Sequence, residues 1–82
     1  MENNRNSMRT PVFKAHRPYG KTELAMLYFP HSTPHTALNH LMAWIRRCRP
    51  LQAELKRLHY DKLQKCLTPR QVEAIVEAFG EP

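Results

Sequence analysis

The residues with the widest chemical repertoire in this chain fall between positions 31 and 66. They are His31, His35, Asn39, His40, Cys48 and Cys66, together with the cations Arg46, Arg47, Arg49, Lys56, Arg57, Lys62 and Lys65. Three chemistries compete for them: metal ligation, catalysis and the binding of a polyanion. A structural zinc site needs four well-spaced ligands. His35 and His40 are five apart, which takes them off a common helical face, and the His31–His35 interval crosses Pro34. No Cys-x-x-Cys pair exists, so neither a metal nor another cofactor is expected. The seven carboxylates are scattered, and nothing orients one reactive group towards another. Gly20 and Gly80 are the only glycines, too few for a phosphate-cradling loop. The expectation is therefore no enzyme, no catalytic residue and no small-molecule substrate.

Polyanion binding has more behind it. The net charge is +6, and it is unevenly spread. Residues 46–65 carry the seven cations just named against Glu54 and Asp61, whereas residues 66–82 set Arg70 against Glu73, Glu77 and Glu81. Such a basic middle attracts nucleic acid. A merely solvated surface accounts for the charge equally well. If the partner is double-stranded DNA, the candidate contacts are His35, Thr36, Asn39, His40, Arg46, Arg47, Arg49, Lys62 and Lys65. Asn39 has the donor–acceptor pair that reads adenine, and Thr36 suits a base or a phosphate. The arginines and lysines suit phosphates. Trp44 lies between Leu41 and Ile45, which fits core packing better than base stacking.

These side chains need elements to hold them. The sequence predicts a first helix from Lys21 or Thr22 to Tyr28, ended by Pro30. Thr33 and Pro34 then cap and open a second helix reaching about Cys48. Its apolar stripe is Ala37, Leu38, Leu41, Trp44, Ile45 and Cys48, with His35, Thr36, Asn39, His40, Ala43, Arg46 and Arg47 opposite. A third helix follows Pro50 on Leu51, Leu55 and Leu58. Thr68-Pro69-Arg70-Gln71 is a capping box for a fourth, with Val72, Ile75, Val76 and Phe79 inward and Gly80 as its stop. Lys62 to Leu67 alternates loosely and is expected to form a strand paired with residues 12–16. The fold class is thus mainly α: a small helix-turn-helix-like bundle of three to four helices with a short two-stranded β element. Residues 1–11 are expected to be a flexible basic tail, and residues 12–82 a single helical domain.

Several stretches carry a resemblance. They are Tyr19-Gly20-Lys21-Thr22-Glu23-Leu24-Ala25-Met26-Leu27-Tyr28-Phe29-Pro30, Ala37-Leu38, Trp44-Ile45, and Thr68 to Glu77 with the closing Gly80-Glu81-Pro82. Over residues 12–82 the chain resembles a family of small proteins from Bacteroides-type bacteria known only as a domain of unknown function. That resemblance implies a bacterial origin and carries over no functional residue. The Glu23-Leu24-Ala25 core is also similar to the first helix of excisionase-like and MerR-like DNA-binding domains, an analogy of fold.

Two functional readings stay open. One is a helix-turn-helix DNA-binding accessory or regulatory protein. The other is a protein-interaction module without a nucleic-acid role, for which Tyr28, Phe29 and Met42 are the expected exposed apolar residues. With 82 residues the core is small, and a homodimer would enlarge it. Polar residues follow Met1, and no apolar run approaches the length of a membrane span. A cytoplasmic protein with reduced thiols is expected, with Cys48 in the core rather than reactive.

Overall fold

The computed structural model describes residues 13, 14 and 16–82. The expected tail, residues 1–11, lies outside them, as do Val12 and Ala15. Four helices and one small antiparallel sheet make up the described residues. In chain order they are β1 (Tyr19–Gly20), α1 (Lys21–Tyr28), α2 (Pro34–Arg47), α3 (Arg49–Arg57), β2 (Cys66–Leu67) and α4 (Pro69–Phe79).

Each helix boundary has a local cause. Gly20 precedes α1 and has no side chain to cap with, so Glu23 reaches back, its Oε1 accepting from the Gly20 N–H at 3.1 Å. Thr33 Oγ1 accepts from the Thr36 N–H at 3.3 Å, and Pro34 opens α2. Between α2 and α3 the chain breaks at Cys48, which is extended. Pro50 explains the break: a continuous helix would need its missing N–H to serve the Arg46 carbonyl. The side chain of Gln52 supplies that donor instead, at 3.0 Å. The third helix ends in a Schellman motif. His59 takes the left-handed conformation (φ 65°), its N–H reaches the Lys56 carbonyl at 3.0 Å, and the Tyr60 N–H reaches the Leu55 carbonyl at 2.8 Å. On α4 the capping box forms in both directions, Gln71 N–H to Thr68 Oγ1 and Thr68 N–H to Gln71 Oε1. Gly80 closes it with φ 88°.

The core is one cluster: Tyr19, Leu24, Ala25, Ala37, Leu41, Ile45, Leu51, Leu55, Leu67, Val72, Ala74 and Ile75. Every helix contributes to it. A second, aromatic layer packs beside it. Trp44 meets Phe29 at 4.8 Å and Phe79 at 5.0 Å between ring centroids, with Tyr28 at 5.9 Å. Trp44 is thus a packing residue, as its neighbours in sequence imply. Tyr28, Phe29 and Met42 are half-buried against the core rather than exposed, because their helix faces are covered by the neighbouring elements. Among the described residues the large apolar side chain left in water is Leu63, 79% exposed.

The two-stranded element exists, and one strand, Cys66–Leu67, falls within the expected 62–67. Its partner is Tyr19–Gly20 rather than the expected 12–16, of which Phe13, Lys14 and His16 are not in a strand and Val12 and Ala15 lie outside the described residues. Tyr19 pairs with Leu67 and Gly20 with Cys66. Turn chemistry on both sides explains the shift. His16 has φ 65°, and Pro18 cannot donate to a ladder, so regular pairing begins only at Tyr19. Across from it, Asp61 folds residues 61–64 into a turn: its Oδ1 accepts from the Leu63 N–H at 2.9 Å, and its carbonyl accepts from the Gln64 N–H at 2.9 Å. The Lys21 N–H extends the contact to the Lys65 carbonyl at 2.9 Å.

Candidate nucleic-acid interface

The second helix buries Ala37, Leu41 and Ile45 on one side. Its 3.6-residue repeat then directs His35, Asn39 and Arg46 away from the core, flanked by Thr36 and Arg47. All five are exposed. No Asp or Glu occurs anywhere in α2, so no carboxylate of its own neutralises this face. Arg46 and Arg47 sit in the last turn, where a cation also suits the negative end of the helix dipole.

The remaining candidates divide. Arg49 begins α3 and, with Arg47, edges a shallow cavity of about 760 Å³ floored by Trp44 and Phe79. Lys62 joins Arg46 across a second groove of about 480 Å³. His40 leans on the Phe29 ring, 5.1 Å between centroids, at the side of the aromatic layer. The Thr36 hydroxyl accepts from Thr33 Oγ1 at 2.9 Å and so is partly engaged in the cap. Lys65 is exposed before β2 and lines neither cavity. The structure therefore gathers His35, Thr36, Asn39, Arg46, Arg47 and Arg49 on and beside one helix, and leaves Lys65 apart from them.

Charge is segregated on the surface. Among the described residues Arg17 pairs with Glu23 at 3.0 Å and Arg57 with Glu54, and His16 Nδ1 lies 2.8 Å from a Glu73 carboxylate oxygen. The Arg57 guanidinium holds the Glu54 carboxyl below its ordinary value, which removes Arg57 from the free cations of the basic segment. Burial pushes the Glu23 carboxyl up, but the Gly20 N–H and the Arg17 guanidinium outweigh it and leave the carboxyl below its usual range. Arg46, Arg47, Arg49, Lys56, Lys62 and Lys65 form no ion pair among the described residues. Carboxylates collect instead along α4, where Glu73 and Glu77 line a hollow with Arg70 and Glu54.

Lys56 belongs to the basic segment but not to the candidate DNA contacts, yet it lines the same groove as Arg46 and Lys62. Its i, i+4 spacing from Gln52, another groove residue, was the available signal. Among the described residues no three His, Cys, Asp or Glu side chains are gathered as metal ligands, and no helix is long and apolar enough to cross a membrane. Both cysteines are free thiols, Cys48 half-buried and Cys66 exposed.

No curated protein and no solved structure gives a significant match to the chain. A family model does, over residues 15–82, which takes in every helix and both strands. The chain belongs to the family described as domain of unknown function DUF4248.

Proposed function

We propose that this domain is a non-catalytic, cytoplasmic double-stranded-DNA-binding module of helix-turn-helix type, with α1 as the supporting helix and α2 as the recognition helix. One observation carries the reading. The outward face of α2 presents His35, Asn39, Arg46 and Arg47 with no carboxylate on the helix and, among the described residues, no ion pair to occupy the arginines. At 14 residues α2 is about 21 Å long, and a helix of that size lies in a major groove. Asn39 and His35 then face base edges, while Arg46, Arg47 and Arg49 lie against phosphates on the flanks.

Fluorescence anisotropy with a labelled duplex, repeated across a salt series, tests this. Three phosphate contacts give a log–log salt slope of about −3. Replacing Arg46, Arg47 and Arg49 together by Ala is expected to flatten that slope and weaken every duplex alike. Asn39→Ala is expected to leave the slope unchanged and alter the preference among sequences. The absence of duplex binding at low salt and micromolar protein would refute the reading.

A further inference from the structure

The groove between α2, α3 and the turn after α3 combines features that a phosphate backbone would not use. Its volume, about 480 Å³, lies within the roughly 300–1,000 Å³ typical of ligand sites. Met42, Ile45, Leu55 and Tyr60 form its apolar floor, and no carboxylate of the described residues lines it. Leu63 stands at its edge, 79% exposed. The cations Arg46, Lys56 and Lys62 surround it from three different elements. A fourth positive charge lies beneath. The Lys21 side chain is buried, its ammonium 4.9 Å from the Tyr60 ring centroid and bonded to the Lys62 carbonyl at 2.6 Å, with no ion pair among the described residues. Among the described residues the Tyr60 hydroxyl has only the Met42 thioether as its partner, at 3.7 Å. Thioether sulfur is a weak acceptor, so the hydroxyl retains capacity for a stronger bond.

We propose that this groove docks an acidic amphipathic peptide segment of a partner protein. Apolar side chains of the segment cover Met42, Tyr60 and Leu63, and its carboxylates meet Arg46, Lys56 and Lys62. Charge complementarity selects this occupant. Nucleic acid would satisfy the cations but leave the open parts of Met42 and Tyr60, and Leu63, in water. The chain's own N-terminal segment carries Arg5 and Arg9 against Glu2, the wrong sign for this rim. Met42 adds an adaptable surface of the kind that accommodates varied apolar partners.

The test uses the full chain and a dye-labelled helical peptide of Leu, Ala and Glu, its leucines at i, i+3, i+4 and i+7. A glutamate-only peptide of equal charge is the comparison. The Leu-bearing peptide is expected to bind at least about 10-fold more tightly, and Leu63→Ser and Lys56→Glu are each expected to weaken it about 10-fold. Because Leu63 is exposed, Leu63→Ser is also expected to keep the wild-type melting temperature and duplex affinity. Equal binding of the two peptides, or indifference to Leu63→Ser, overturns the proposal. A dimer in sedimentation that Leu63→Ser dissolves also overturns it, assigning the groove to a second copy. Loss of duplex binding in wild-type protein with peptide binding intact would sink the DNA reading alone.

Discussion

Gln71 joins three parts of the fold through one buried amide, and its replacement by leucine should show how strongly. The side chain is 2% exposed. Its Oε1 accepts from the Thr68 N–H at 3.0 Å and from Gln64 Nε2 at 2.7 Å, while its Nε2 donates to the Leu58 carbonyl at 3.1 Å. The amide thus ties the start of α4 to the end of α3 and to the turn before β2. Leucine preserves apolar volume but removes all three bonds. At about 1 kcal/mol net for each, with more where a partner is left unsatisfied, the loss is about 3–4 kcal/mol. The whole domain is worth only about 4–12 kcal/mol at this length. A domain of this size loses about 4–8 °C per kcal/mol, so Gln71→Leu is expected to lower the melting temperature by about 12–30 °C in a circular-dichroism melt. Thr68→Ala removes the cap oxygen alone and is expected to cost about 1 kcal/mol. Glu77→Ala, exposed on the same helix, should change stability by less than about 0.5 kcal/mol. A Gln71→Leu protein that melts within a few degrees of wild type, or no lower than Thr68→Ala, would refute the assignment of Gln71 as the junction.

Two further outcomes follow from single residues. Burial and the nearby Glu81 charge push the Tyr28 phenol up to about 12, and its hydroxyl donates to the Gly80 carbonyl. The neutral phenol is therefore favoured by folding: its contribution is fully present below the unfolded value near 10 and is lost as pH rises towards 12. A phenolate-absorbance titration should show one step near pH 12 that Tyr28→Phe removes; no late step would contradict the assignment. His59→Gly should stabilise the domain by up to about 1 kcal/mol, because glycine takes the left-handed conformation at the end of α3 without the cost borne by a residue with a Cβ. A lower melting temperature would show instead that the histidine side chain contributes to packing.

The helices were legible because their boundaries are written in adjacent residues. Thr33-Pro34, Thr68-Pro69 with Gln71, and Gly80 each act within one turn, and each does what its residue type implies. The apolar spacing of α2 likewise fixed which side faces outward, and with it the candidate interface. What escaped the sequence depends on contacts between distant residues. Gln71 is recognisable as a capping residue, but its bond to Leu58 is visible only once α3 and α4 are packed. The burial of Lys21 follows from the turn at residues 61–64 folding over it, an arrangement separated by 41 positions in the chain. The strand register was misread because the loose alternation over Lys62 to Leu67 concealed the Asp61 turn, leaving only Cys66 and Leu67 to pair. Alternation also disguised Leu63: it looks like a strand residue facing a core, whereas the turn projects it into water beside the basic groove.

The most direct test of α2 as a DNA-reading helix compares two charge reversals of equal size. Arg47→Glu changes the outward side of α2, and Arg70→Glu changes the carboxylate-rich α4 hollow. Both alter the net charge by the same amount, so any difference in duplex affinity reports position rather than total charge. At low salt Arg47→Glu is expected to weaken duplex binding by about 10-fold or more, and Arg70→Glu by no more than about 3-fold. Equal losses from the two variants, or a larger loss from Arg70→Glu, would contradict the assignment of α2 as the DNA-binding face.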